Sequence, residues 1–123
     1  MELRRLEGDF TVCKIDNLDE VDFTRDFTFL SKTDDEISLL CESEYVPRRL
    51  IAVEAGWKGF KISGVLDFGM IGVISKISGL LAEAGISVFV VSTYNTDYVF
   101  VKAENFDESA RIFVCNGYAV AGA

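Results

Sequence analysis

Between Met70 and Ala84 the apolar residues Ile71, Ile74, Ile77, Leu81 and Ala84 recur at steps of three and four. On either side of this stretch the helical period is lost. The step pattern lays one apolar stripe along a helix, and Gly85 is a natural stop after it. Upstream, Trp57–Ser63 alternates like a half-buried strand, with Phe60 and Ile62 on one face and Gly59, Lys61 and Ser63, together with Trp57, on the other. Downstream, Ile86–Ser92 is a nearly continuous β-branched and aromatic run, as in a central strand. Asn95-Thr96-Asp97 then turns the chain into Tyr98–Val101, predicting a hairpin. Asp107–Cys115 reads as a second, shorter helix ended by Asn116-Gly117, and Tyr118–Val120 as a last strand. The order is β-α-β-β-α-β, an α+β, ferredoxin-like arrangement in which helices cover one face of an antiparallel sheet.

The first half predicts short strands between acidic turns. Phe10–Ile15 alternates, with Cys13 and Ile15 on a buried face, and Leu18–Phe23 makes at most one helical turn. Phe27–Ser31 and Ile37–Cys41, joined by the polar turn Thr33–Glu36, predict a hairpin; Pro47 ends that unit and Ile51–Glu54 adds a short strand. This β…ββ…β order is that of a degenerate copy of the second half with its helices reduced. The expected division is 1–55 and 56–123, within one globular body for a chain of 123 residues.

Composition narrows the function. Acidic residues outnumber basic ones by 20 to 12, a net charge of −8 that disfavours a nucleic-acid partner. The apolar runs fall far short of the roughly 20 residues of a membrane span, and Met1–Glu7 lacks the apolar core of a signal peptide, so a cytoplasmic protein is expected. Histidine is absent, which removes Ser-His-Asp and Cys-His catalysis and HExxH zinc chemistry. Cys13, Cys41 and Cys115 are odd in number and widely spaced; buried free thiols are expected rather than disulfides or a zinc site. No cofactor is implied.

Two segments carry candidate ligand chemistry. Gly64, Gly69 and Gly72 precede the long helix, allow close backbone approach, and put a helix N-terminus where an α-carboxylate would be stabilised. The other reading is a tight strand-to-helix turn. Asp67 and Asp97 have the chemistry to receive an ammonium or guanidinium, with Thr93, Asn95 and Thr96 as neutral partners; equally, Asp67 caps the helix and Asn95 with Asp97 shapes a turn. Gly64-x-x-x-x-Gly69 is not followed by Lys-Ser/Thr, so it is not a Walker motif and ATP binding is disfavoured.

Gly64-Val-Leu-Asp67-Phe68-Gly-Met-Ile-Gly72-Val73-Ile, Leu81–Phe89 and Ser92–Val99 together resemble the ACT-domain family, which includes small stand-alone microbial proteins and the cytosolic arginine sensors called CASTOR. Thr33–Cys41, Val46-Pro47 and Gly56-Trp57 resemble the N-terminal part of the same proteins. The resemblance implies a tandem ACT-like architecture without enzymatic activity. It further implies a free amino acid as effector at a junction between ACT units, a homodimer, and coupling to a protein partner. Carried over by motif, the ligand-binding residues are Gly64, Asp67, Ile71, Gly72 and Val73, with Thr93, Asn95, Thr96 and Asp97 across from them. Arginine as the ligand does not follow, because ACT units accept several amino acids.

Overall fold

A computed structural model describes residues 1–64 and 71–122. In chain order its strands are β1 (Glu2–Arg5), β2 (Phe10–Ile15), β3 (Phe29–Lys32), β4 (Ile37–Glu42), β5 (Ala52–Ile62), β6 (Phe89–Ser92), β7 (Asp97–Lys102) and β8 (Ala119–Ala121). The helices are α1 (Val73–Glu83) and α2 (Phe106–Cys115). The chain forms two compact units, Met1–Glu7 with Lys58–Ala123, and Gly8–Trp57. A boundary at residue 55 places Met1–Glu7 with the first half, whereas β1 pairs with strands of the second.

In the larger unit the strands lie in the order β6-β7-β5-β1-β8. β1 runs antiparallel to β5, with Leu3 opposite Ile62 and Arg5 opposite Phe60, and parallel to β8, with Leu3 opposite Val120. The sheet is therefore mixed rather than antiparallel, because β8 meets β1 instead of β5. Leu3, Phe60, Ile62, Val99 and Val101 join Ile77 and Leu81 of α1 and Phe113 of α2 in one core, all fully buried. Burial of this apolar surface is the main term holding the helices to the sheet.

Both helices stop in the same way. Gly85 (φ 74°) donates to Ala82 and Ile86 to Leu81, while Gly117 (φ 91°) donates to Val114 and Tyr118 to Phe113. In each, a left-handed glycine turns the chain so that the next residue, Ile86 or Tyr118, is buried against the helix it has just left. Ile86 thus belongs to a helix end, and β6 begins only at Phe89. β6 pairs with β7 alone among the described residues and is an edge strand rather than a central one.

The smaller unit has the order β3-β4-β2-β5, with Cys13, Ile15, Leu39 and Cys41 in its core. The two strands expected over 51–54 and 57–63 are one, β5. Gly56 (φ 85°) and a register shift between Phe10 and Val12 change the phase within it, which turns Trp57 inward to 9% exposure. No helix forms over 18–23, where Asn17 and Asp22 side chains accept backbone N–H groups two residues on and hold turns instead. Cys13 and Cys41 are buried, but Cys115 is exposed because the last turn of α2 presents it outward.

Candidate functional site

The C-terminal end of β5 is where the larger unit gathers its connections. Ser63 N–H donates to the Glu2 carbonyl and Ala119 N–H to the Met1 carbonyl, at 2.9 and 3.1 Å, which brings the start of β1 and of β8 to this end. The β6–β7 turn arrives as well. Thr93 N–H donates to the Thr96 carbonyl at 2.9 Å, the Thr93 hydroxyl donates to the same oxygen at 2.7 Å, and the buried Thr96 hydroxyl donates to the Ile62 carbonyl at 2.7 Å.

Thr96 thus pins the turn to β5 and satisfies a main-chain acceptor in the interior. Thr96→Val keeps the shape but leaves the Ile62 oxygen without its side-chain donor; we expect a loss of about 1–2 kcal/mol, read from urea denaturation. An unchanged midpoint would show that water replaces the hydroxyl.

α1 begins at Val73, not at Met70. Gly72 (φ 79°) is its N-cap in the left-handed conformation, no side chain among the described residues caps it, and no acidic residue lies in its first turn. Ile71, counted on the apolar stripe by spacing, precedes the helix and is 96% exposed. The first intrahelical bond runs from Lys76 N–H to the Gly72 carbonyl, so the N–H groups of Val73, Ile74 and Ser75 have no acceptor inside the helix. That end of α1 carries partial positive charge.

A cavity of about 280 Å³ opens there, lined by Met1, Ile71, Gly72, Val73, Lys76, Asn116, Gly117 and Tyr118. Lys76 Nζ stands 5.6 Å from the centre of the Tyr118 ring, which orients an ammonium group at the cavity. Asn116 Nδ2 donates back to the Ile112 carbonyl at 2.8 Å. The lining offers a positively polarised helix end and one cation beside apolar surface. That combination suits a small molecule carrying a carboxylate and an apolar part.

Of the residues singled out by sequence, Ile71, Gly72 and Val73 line this cavity. Gly64 (φ 86°) is exposed just beyond β5. Thr93, Asn95, Thr96 and Asp97 form the neighbouring turn and the start of β7, at the same end of the sheet but outside the lining. Asp67 lies outside the described residues. Lys76, Asn116 and Tyr118 were not anticipated. Lys76 stands one helical turn beyond Gly72, a spacing that puts both on one side of α1, whereas the other two come from a distant turn.

No curated protein matches the chain in sequence. Among solved structures it is similar to protein Atu0741 from Agrobacterium tumefaciens, with a TM-score of 0.88 and 25% identity over 99% of this chain and 92% of that one. It is also similar to VC0802 from Vibrio cholerae, described as a protein of unknown function and possible transport protein, with a TM-score of 0.71 and 20% identity over 92% and 87% of the two chains. A structure of aspartokinase α and β subunits shares the fold, with a TM-score of 0.63 and 13% identity over 92% of this chain and 95% of that one. The model of the ACT domain matches residues 52–113, from the start of β5 to the last turn of α2 and just over half of the chain. With the β-α-β-β-α-β order and the start of α1 at the end of β5, that match identifies the chain as a member of the ACT-domain family.

Proposed function

We propose that this protein is a non-catalytic regulatory protein that binds a free amino acid at the C-terminal end of β5. The observation that carries the reading is the cavity at the start of α1 within an ACT domain. The ligand's α-carboxylate meets the first N–H groups of α1 and the Lys76 ammonium. Gly64, Asp67, Asn95 and Asp97 serve the α-ammonium and side chain from the neighbouring connections, and Thr93 and Thr96 hold the turn that presents them. Gly8–Trp57 is a reduced ACT-like unit, and the ligand acts by favouring one arrangement of the protein with a second copy or a regulated partner.

The test is a thermal-shift screen against the twenty amino acids, followed by calorimetry. A ligand at 100 times its dissociation constant adds about 2.7 kcal/mol of stability, a readily measured shift. Lys76→Glu reverses the charge at the cavity without disturbing buried packing and should abolish the shift; Asp97→Ala should weaken it. A flat screen for the wild type would sink the reading.

One observation favours a second reading, a ligand-free association module. The edge strand β6 sits in a stretch from Gly85 to Thr96 without a charged residue, so nothing electrostatic discourages a second copy from pairing there. Under it the amino-acid screen is flat while sedimentation shows a dimer.

A further inference from the structure

We propose that the Gly8–Trp57 unit carries a binding site for a small oxyanion, a carboxylate or phosphate group, built from Arg48 and Arg49. A cavity of about 320 Å³ in this unit is lined by Asp16, Arg48, Arg49, Leu50 and Ile51. The segment that holds the arginines is fixed at both ends. Pro47 is buried, Arg49 N–H donates to Glu20 Oε1 at 3.1 Å, and Ile51 N–H donates to the Lys14 carbonyl at 2.8 Å.

The guanidinium groups themselves are weakly engaged. Each has five N–H donors. Arg48 Nε approaches Glu20 Oε2 at 3.8 Å and Arg49 Nη2 approaches Asp16 Oδ2 at 3.5 Å, with the two arginine side chains 94% and 69% exposed. Contacts of that length and exposure contribute little and yield readily to a better acceptor. An oxyanion offers two oxygens to the planar fork of either arginine, and consecutive arginines in one cavity allow both to engage it. Leu50 and Ile51 line the cavity beside them. In a chain of net charge −8, Arg48 and Arg49 set two cations beside the carboxylates of Asp16 and Glu20, which leaves a locally neutral patch on an acidic protein.

The full-length chain is titrated with sodium phosphate and, separately, with sodium succinate at constant ionic strength. The side-chain Nε–Hε resonances of the arginines are followed by NMR. Saturating shifts at Arg48 and Arg49, without change at the exposed Arg111 on α2, are the expected result, and the salt that saturates at lower concentration identifies the preferred group. Arg48→Gln should weaken that salt about tenfold or more, the loss of a charge-assisted contact, with an unchanged circular dichroism spectrum. Linear, equal shifts at all three arginines would reduce the effect to ionic screening and overturn the site, as would unchanged affinity in Arg48→Gln. If that variant fails to fold, the wild-type resonances decide alone. Lys76 and the α1 cavity take no part, so a negative result here leaves the amino-acid screen untouched.

Discussion

Phe60→Ala should unfold the larger unit at markedly lower denaturant, with a loss of about 3–5 kcal/mol. The ring is fully buried on β5 and lies between the two aromatic residues by which α2 grips the sheet. Its centre is 4.6 Å from that of Phe106 in a tilted contact and 5.2 Å from that of Phe113 in an edge-to-face contact. Truncation removes both aromatic contacts and leaves a cavity that backbone on one side and a helix on the other cannot close. Against a total stability of roughly 5–15 kcal/mol, this is the largest single loss we expect from a core substitution. Phe60→Leu should recover most of it, since it restores volume without the ring geometry. A urea midpoint for Phe60→Ala close to wild type would mean that α2 is held elsewhere.

At pH 8 the buried thiols Cys13 and Cys41 should react far more slowly than the exposed Cys115. Burial pushes the Cys13 thiol up, and it pushes Cys41 up to about 11, with the neighbouring Cys13 and Glu42 adding to the effect. Little thiolate is then present at either, whereas Cys115 stands exposed at the end of α2. An aromatic disulfide reagent should label Cys115 promptly and the other two only on unfolding, when all three react alike. The same shifts make stability depend on pH. Below the ordinary thiol value near 9 both states keep their protons and the contribution is complete; as pH rises from there towards 11 the unfolded chain ionises first, so stability falls. A urea midpoint that stays level between pH 8 and 10.5, or three equal labelling rates in the native protein, would show that Cys13 and Cys41 are not sequestered.

The elements that repeat a local signal were legible in the sequence. α1, α2 and the β6–β7 hairpin each carry several residues of consistent period, and the glycine stops at Gly85 and Gly117 mark their helix ends. β1 was not legible. Four residues, two of them arginines, have no measurable period, and Leu3 becomes a core residue only once β5 and β8 flank it. Trp57 was misplaced because Gly56 resets the alternation within a strand that otherwise reads as two. The candidate site was half visible for a similar reason. Ile71, Gly72 and Val73 announce themselves as the approach to a helix, but Asn116, Gly117 and Tyr118 complete the cavity from the turn after α2, and no nearby residue signals that meeting. Ile71 shows the limit of periodicity from the other side: it fits the stripe by count, yet the helix has not begun when the chain reaches it.

The position of β1 between β5 and β8 also orders the events of synthesis. Leu3 leaves the ribosome well before its neighbours Ile62 and Val120, which follow only after all of Gly8–Trp57 has been made. Residues 8–57 have their strand partners within one continuous stretch and can pair as soon as it is made; the larger unit must hold β1 in reserve until β5 and then β8 arrive. Deletion of Ala119–Ala121 would therefore strip β1 of one neighbour as well as remove β8, so a change late in the chain should damage the sheet at its earliest strand too.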